Sequence, residues 1–429
     1  MKKYRIVLSV LAVLISTLGW AQRFEDYFED RTLRLDYNFA GDNRHQQISL
    51  DELSQSEGWY GRRNNLDSLL LLGNGQLTVT QPETKKVLYR YSFSTLFQEW
   101  QSSEEATKMW KSFENVFLMP FPKQPVDVTV TLTDTHNKVT SSLTHRVDPK
   151  DILIRPVGKS GQTPYKYIHK GGDSKEAIDV VVMAEGYTQD DMDTFWEDCQ
   201  MCVNAFLTHE PFQSLAEKFN FIAVFSPSVD TGISIPHKGQ WFNTAMGSNY
   251  DTFYSERYLT TLKLKRVHDL LAGIPYEHII ILGNTENYGG GGIYNSYMMS
   301  SAHHAKTRPV IVHEFGHSFG GLGDEYYYDD QYETMYPTDT EPWEPNLTTL
   351  VNFDAKWKDM LTEQQLKNVP TQPDGKDLYT KVGVYEGGGY QSKGVYRPVQ
   401  ECRMKINEAP IFCPVCDRAI RRIVDYYTK

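Results

Sequence analysis

Past Leu18 the 429-residue chain has no apolar run long enough to cross a bilayer, which excludes a multi-span helical membrane protein. It shows no internal repeat and no low-complexity tract, so order is expected throughout. Positive charge is scarce. Forty-four Lys and Arg stand against 55 Asp and Glu, a formal charge of -11, which disfavours nucleic acid and anionic membrane as partners. Cysteine is scarce and odd in number: with five, at least one sulfur is free or paired with another chain. No sequence feature specifies an oligomeric state.

Aromatic residues, in contrast, are plentiful, with 27 Tyr, 20 Phe and 8 Trp. The start reads as a secretory signal, residues 1–21. Lys2, Lys3 and Arg5 precede an apolar Ile6–Leu18 segment, and Gly19-Trp20-Ala21 offers a cut before Gln22. No Cys follows the apolar segment, which argues against a lipoprotein. The expectation is an exported chain with no membrane insertion after cleavage, in the periplasm, at the cell surface or secreted.

Residues 22–158 read as a β-sandwich domain. "TLRLDYNF" alternates Leu33, Leu35, Tyr37 and Phe39 with polar neighbours, and "VDVTVTLTD" does the same with Val126, Val128, Val130 and Leu132. Gly73-Asn74-Gly75 and Gln81-Pro82 mark turns. Ser102–Phe117 breaks the alternation and is expected as a helix. Residues 148–172, rich in Lys, Gly and Pro, carry the domain boundary.

Residues 159–429 alternate strand and helix, an α/β pattern, so the whole chain reads as α+β multidomain. "IDVVVMAEGY", "FNFIAVFSPS" and "EHIIILGN" are continuous apolar strands of the kind buried on both faces. Thr188 and Asp191 form a capping box that opens a helix toward Thr208. Ser255–Gly273 reads as a helix stopped by Gly273 and Pro275, and Thr307 as the cap of a helix with Pro309 in its first turn.

That last helix carries "VIVHEFGHSFGG". Residues four apart lie one turn up on one helix face, so His313 and His317 aim their imidazoles at one point, as ligands of Zn²⁺. Glu314, on the edge of that face, reaches a zinc-bound water and serves as general base. Gly320, Gly321 and Gly323 end the helix in a sharp turn. The turn returns a carboxylate to the metal, Asp324 first and Glu325 as the alternative. The run Gly289–Gly292 reads as either an edge strand that pairs with substrate, through Gly290, Gly291 and Gly292, or a surface loop. It is not a phosphate loop, because no Lys-Ser/Thr follows it.

"HEFGHSFGGLGDEY" resembles the igalysins, the immunoglobulin-A-peptidase family of metzincin zinc metallopeptidases. "YEGGGYQSKGVYRPVQECRM" followed by "FCPVC" extends the likeness. The resemblance implies a metzincin-like zinc peptidase domain, with a methionine turn beneath the metal. Met404 in "CRM" matches that turn, and Met335 is the competitor. Where the common metzincin pattern has its third histidine, this chain has Gly323. Where some members place a Tyr two residues after the Met, it has Ile406. Tyr326, Tyr396, His303 and His304 are therefore the candidates for oxyanion stabilisation. The implied activity is a secreted zinc endopeptidase acting on protein or peptide. The alternatives are a binding module built on an inactive zinc scaffold, or a zinc amidase acting on a non-peptide bond. Cys413-Pro-Val-Cys416 is a CxxC, but a structural zinc needs four ligands and the other half would have to come from elsewhere in the fold, so a disulfide among Cys402, Cys413 and Cys416 is expected, and Cys199 and Cys202 as buried thiols.

Overall fold

A computed structural model describes residues 22–328 and 335–429. The expected export signal lies outside the described residues. Among them, no helix is long and apolar enough to cross a membrane.

Two four-stranded sheets make the N-terminal part. One holds β1 (Phe28–Gly41), β2 (Gln46–Glu57), β5 (Lys111–Pro122) and β8 (Arg155–Pro156), in the order β5-β1-β2-β8. The other holds β3 (Gly75–Thr80), β4 (Val87–Phe93), β6 (Val126–Thr133) and β7 (Val139–Val147), in the order β4-β3-β6-β7. The period-two residues behave as expected: Leu33, Leu35, Tyr37 and Phe39 of β1 and Val128, Val130 and Leu132 of β6 are fully buried. The rings of Phe93 and Phe117 meet across the two sheets at 4.2 Å.

The helix expected over Ser102–Phe117 is corrected. Only Leu96–Trp100 and a short turn at Glu105–Thr107 are helical, and Lys111 onward is β5. Within that span Phe113, Asn115 and Phe117 are buried two apart, with Val116 buried as well, a pattern that the Glu- and Lys-rich residues before it conceal.

The chain leaves the first sheet at Pro156 and enters a six-stranded sheet at Tyr165. Its strands are β9 (Tyr165–Lys170), β10 (Ile178–Glu185), β11 (Phe219–Val224), β12 (His278–Gly283), β13 (Gly290–Ile293) and β14 (Tyr297–Ser301). The order is β13-β14-β12-β10-β11-β9; the four inner strands are parallel and both edges antiparallel. Every residue of β10, β11 and β12 is buried. One face (Val180, Val182, Ile280) packs on the helices Met192–Leu207, Thr307–Ser318 and Pro414–Thr428. The other face (Val181, Met183, Ile279, Ile281) shares an apolar core with the N-terminal sandwich. A polar contact crosses the same junction, Arg34 of β1 at 2.6 Å from Asp269, with Asp36 of the same strand at 2.7 Å from Arg34. A small third sheet follows, β15 (Tyr327–Tyr328), β16 (Tyr385–Gly388) and β17 (Tyr390–Arg397), in the order β15-β17-β16.

The Thr188–Asp191 capping box precedes the helix Met192–Leu207, where Cys199 and Cys202 are buried as free thiols. The helix expected over Ser255–Gly273 shrinks to Leu264–Leu270. Tyr258 and Thr260, which the helical reading included, instead bridge Gly290 and Asn249. Thr307 is the first helical residue rather than the cap, and its hydroxyl donates to the Ser301 carbonyl at 3.0 Å.

Candidate metal centre

The helix Thr307–Ser318 buries Val310, Ile311, Val312 and Phe315, which fixes its rotation and turns His313, Glu314 and His317 toward a cleft. The imidazole Nε2 atoms of His313 and His317 lie 3.1 Å apart. His313 Nδ1 meets the Arg403 carbonyl at 2.9 Å, and His317 Nδ1 meets the Leu322 carbonyl at 2.6 Å. A carbonyl only accepts, so each Nδ1 carries the proton and each Nε2 lone pair is free for an ion.

Past His317 the chain turns as the glycines suggest. Gly321 has φ +56, its N–H donates to the His317 carbonyl, and the Leu322 N–H donates to the Gly316 carbonyl, closing the helix end. Asp324 then comes back with Oδ1 at 3.2 Å from both Nε2 atoms. Its Oδ2 accepts from the Tyr390 hydroxyl, and its carbonyl accepts from the Gly389 N–H. Glu325, the alternative ligand, points the other way: its Oε1 lies 3.2 Å from the Cys416 sulfur.

His313, His317 and Asp324 form a three-donor group that could hold a metal ion. Asp324 Oδ1 provides a test of fit: it is buried and has no hydrogen-bond partner among the described residues. An orphaned buried carboxylate oxygen costs free energy unless a cation meets it, and two unprotonated imidazole nitrogens share its position. The residues fit a divalent ion. Without one, burial raises the Asp324 carboxyl, and the two imidazoles more than reverse this, holding it below the usual range. Burial lowers His317, and the Asp324 carboxylate outweighs it, pushing the imidazole up to about 9. Burial pushes the Glu314 carboxyl up, against the pull of His313 and His317.

Met404 is buried beneath this helix. A Cβ on Gly316 would lie 2.6 Å from its sulfur, so glycine there makes the contact possible. Met335 is exposed in the cleft instead. Gly290, Gly291 and Gly292 form the edge strand β13 rather than a loop. A Cβ on Gly292 would lie 2.3 Å from the Glu314 carbonyl, so the strand lies close against the helix backbone. The strand's outer side is partly taken, since Tyr258 bridges Gly290.

Of the oxyanion candidates, Tyr326 lines the cleft, edge-on to Tyr390 at 5.1 Å. His303 is bound to Asp198 at 2.8 Å, and the His304 ring accepts the Lys306 N–H. Tyr396 pairs through its backbone with Thr348. Tyr390 and the pair Glu99–Tyr258 escaped sequence reasoning. The Tyr258 hydroxyl donates to Glu99 at 2.7 Å, and burial pushes the Glu99 carboxyl up to about 7, against that hydrogen bond. Glu99 comes from the N-terminal sandwich, which with Asn43, Ser94, Thr95 and Gln98 forms one wall of the cleft.

The expected disulfide among Cys402, Cys413 and Cys416 is corrected. All three are free and buried, and the sulfurs of Cys402 and Cys416 are 3.9 Å apart. A disulfide needs about 2.05 Å.

A histidine pair, a carboxylate delivered by a turn and a glutamate in an open cleft are groups of the kind that metallopeptidases use. Comparison with known families agrees. The IgA Peptidase M64 family matches residues 167–381 and 373–424, and the Peptidase M64 N-terminus matches residues 23–144. The chain belongs to the IgA Peptidase M64 family, the igalysin family its motifs resemble. A search of curated proteins gives no match.

Proposed function

We propose that the protein is an exported zinc-dependent endopeptidase. The observation that carries this reading is the orphaned Asp324 Oδ1 beside two imidazole Nε2 atoms, with Glu314 one residue from His313 in the same cleft. Two nitrogens and one carboxylate oxygen suit zinc with one position open. When bound, the ion polarises a scissile carbonyl and acidifies water.

Glu314 takes the proton of the attacking water and returns it to the departing amine. Tyr326 supports the oxyanion, because the Tyr390 hydroxyl is already committed to Asp324. An extended polypeptide pairs with β13 beyond Gly290, between the histidine helix and the wall formed by the N-terminal sandwich. The open cleft favours a chain interior over a chain end. The basic and then apolar residues 1–21 support export.

The test is Glu314→Ala. It should hold as much zinc as the parent and cut a casein or peptide-library substrate about 10²–10⁴-fold more slowly. Undiminished cleavage by the zinc-loaded variant would remove Glu314 from the chemistry.

A further inference from the structure

Directly behind the candidate catalytic group lies a second cluster, formed by Glu325, Cys402, Cys413 and Cys416. All four residues are buried, and their ligand atoms lie within 4.8 Å of one another. We infer that this cluster is a closed structural site for one thiolate-preferring divalent ion of the zinc class, held by three cysteine sulfurs and the Glu325 carboxylate. The site is independent of the peptidase reading.

Three observations carry it. The first is spacing. Thiolates bound tetrahedrally at ~2.3 Å from one ion stand roughly 3.8 Å apart. Cys402 and Cys416 are 3.9 Å apart, the edge of such a tetrahedron and far too long for a disulfide. Any disulfide would also strand the third sulfur and Glu325.

The second is Glu325 itself. Its Oε1 accepts from the Asn346 amide at 2.9 Å, but its Oε2 is buried with no partner among the described residues. Its side chain is fully enclosed, so no solvent cation serves it. A carboxylate oxygen left this way is costly, and Oε1 of the same carboxylate lies 3.2 Å from the Cys416 sulfur.

The third is the backbone around the sulfurs. The Cys413 N–H donates to the Cys402 sulfur at 3.3 Å, and the Cys416 N–H donates to the Cys413 sulfur at 3.5 Å. Cys413 also caps the fifteen-residue helix Pro414–Thr428, so the positive end of the helix dipole meets the sulfurs. Amide donors and a helix N-terminus stabilise thiolate charge. On binding, three thiol protons leave to solvent and three sulfur–metal bonds form, with no redox partner required.

Four protein donors leave no open position, so the ion is structural rather than catalytic. Its place in the chain gives it a task. Glu325 follows Asp324, and Cys402 precedes Met404 by two residues, so one ion clamps both the turn carrying the third candidate ligand and the methionine floor.

The test uses the full-length mature protein dialysed against Zn²⁺ alone and then against metal-free buffer. Bound zinc is counted by mass spectrometry, and thiols are titrated after denaturation with chelator. The variant His313→Ala/His317→Ala, which leaves the cysteines untouched, should keep one zinc per chain and show all five thiols. Its cobalt form should show intense thiolate-to-metal absorption. Cys413→Ser/Cys416→Ser should lose one zinc relative to the parent; if it does not fold, the histidine variant decides alone. A folded histidine variant that holds no zinc, or that yields only three thiols because a disulfide has formed, overturns the site.

Discussion

The Glu325 N–H donates to the Met404 carbonyl at 2.8 Å, so the turn that delivers Asp324 and the turn that carries the methionine are tied by main chain. Side chains on either side of this bond diverge: Asp324 goes to the histidines and Glu325 to the cysteines. Met404 fills the space under the helix between the two groups, against Gly316. Met404→Ala should therefore cost about 2–5 kcal/mol of stability, whereas Met404→Leu, with nearly the same volume, should cost less than about 1.5 kcal/mol. Chemical denaturation at fixed zinc concentration measures both. Equal losses would mean that the floor does not depend on volume.

Tyr390 holds Asp324 through its hydroxyl, while the other carboxylate oxygen faces the histidines. Tyr390→Phe keeps the ring and removes only that bond. Partners behind a metal ligand typically contribute 10–100-fold to affinity, and a loss of about that size is expected in competition with a chromophoric chelator. Tyr326→Phe should leave zinc affinity unchanged and lower kcat by roughly 10²-fold, the effect of losing one oxyanion donor. The reverse pattern would exchange the roles of the two tyrosines.

The close approach of β13 to the histidine helix depends on its missing side chains. A methyl group at position 292 would lie 2.3 Å from the Glu314 carbonyl, and neither backbone can move without shifting the histidines. Gly292→Ala should destabilise by about 1–3 kcal/mol or more and reduce activity even at temperatures where the chain stays folded. At Gly316 the obstacle is the flexible sulfur of Met404, so Gly316→Ala should cost less. Thermal melts of both variants rank the two positions.

The parts legible in the sequence are those that local pattern dictates. His313 and His317 share a helix face because four residues make about one turn, and β10, β11 and β12 read as buried strands because nothing polar interrupts them for long. Asp324 was legible for a related reason, since glycines after a helix force a turn whose first carboxylate comes back to the histidines. Contacts made across distant parts of the chain left no such mark. Tyr390 reaches Asp324 from 66 residues away, and Glu99, on the short helix Leu96–Trp100, meets Tyr258 across 159 residues of chain. The strand at Lys111–Pro122 was hidden because its burial is set by β1, its partner, and not by the charged residues that precede it. The divergence of Glu325 toward the cysteines depends on which way one side chain points after the turn, and spacing alone does not fix that.

Glu99 offers a prediction about pH. Burial pushes its carboxyl from the ordinary 4.5 up to about 7, although the Tyr258 hydroxyl pulls the other way. A carboxyl with a raised folded pKa makes the folded state the tighter proton binder, so its favourable contribution is present below about pH 4.5 and is lost as pH rises through 7. Glu99→Gln keeps an acceptor for Tyr258 and removes the charge. Between pH 4.5 and pH 8 the stability of the variant should therefore rise relative to the parent by something on the order of 2 kcal/mol, with the two similar at the acidic end. Melts of chelator-treated protein across that range read the difference without a bound cation to alter the charge balance. A gap that does not change with pH would mean that Glu99 titrates as an ordinary solvated acid, and that the wall formed by the sandwich is wetter than its burial indicates.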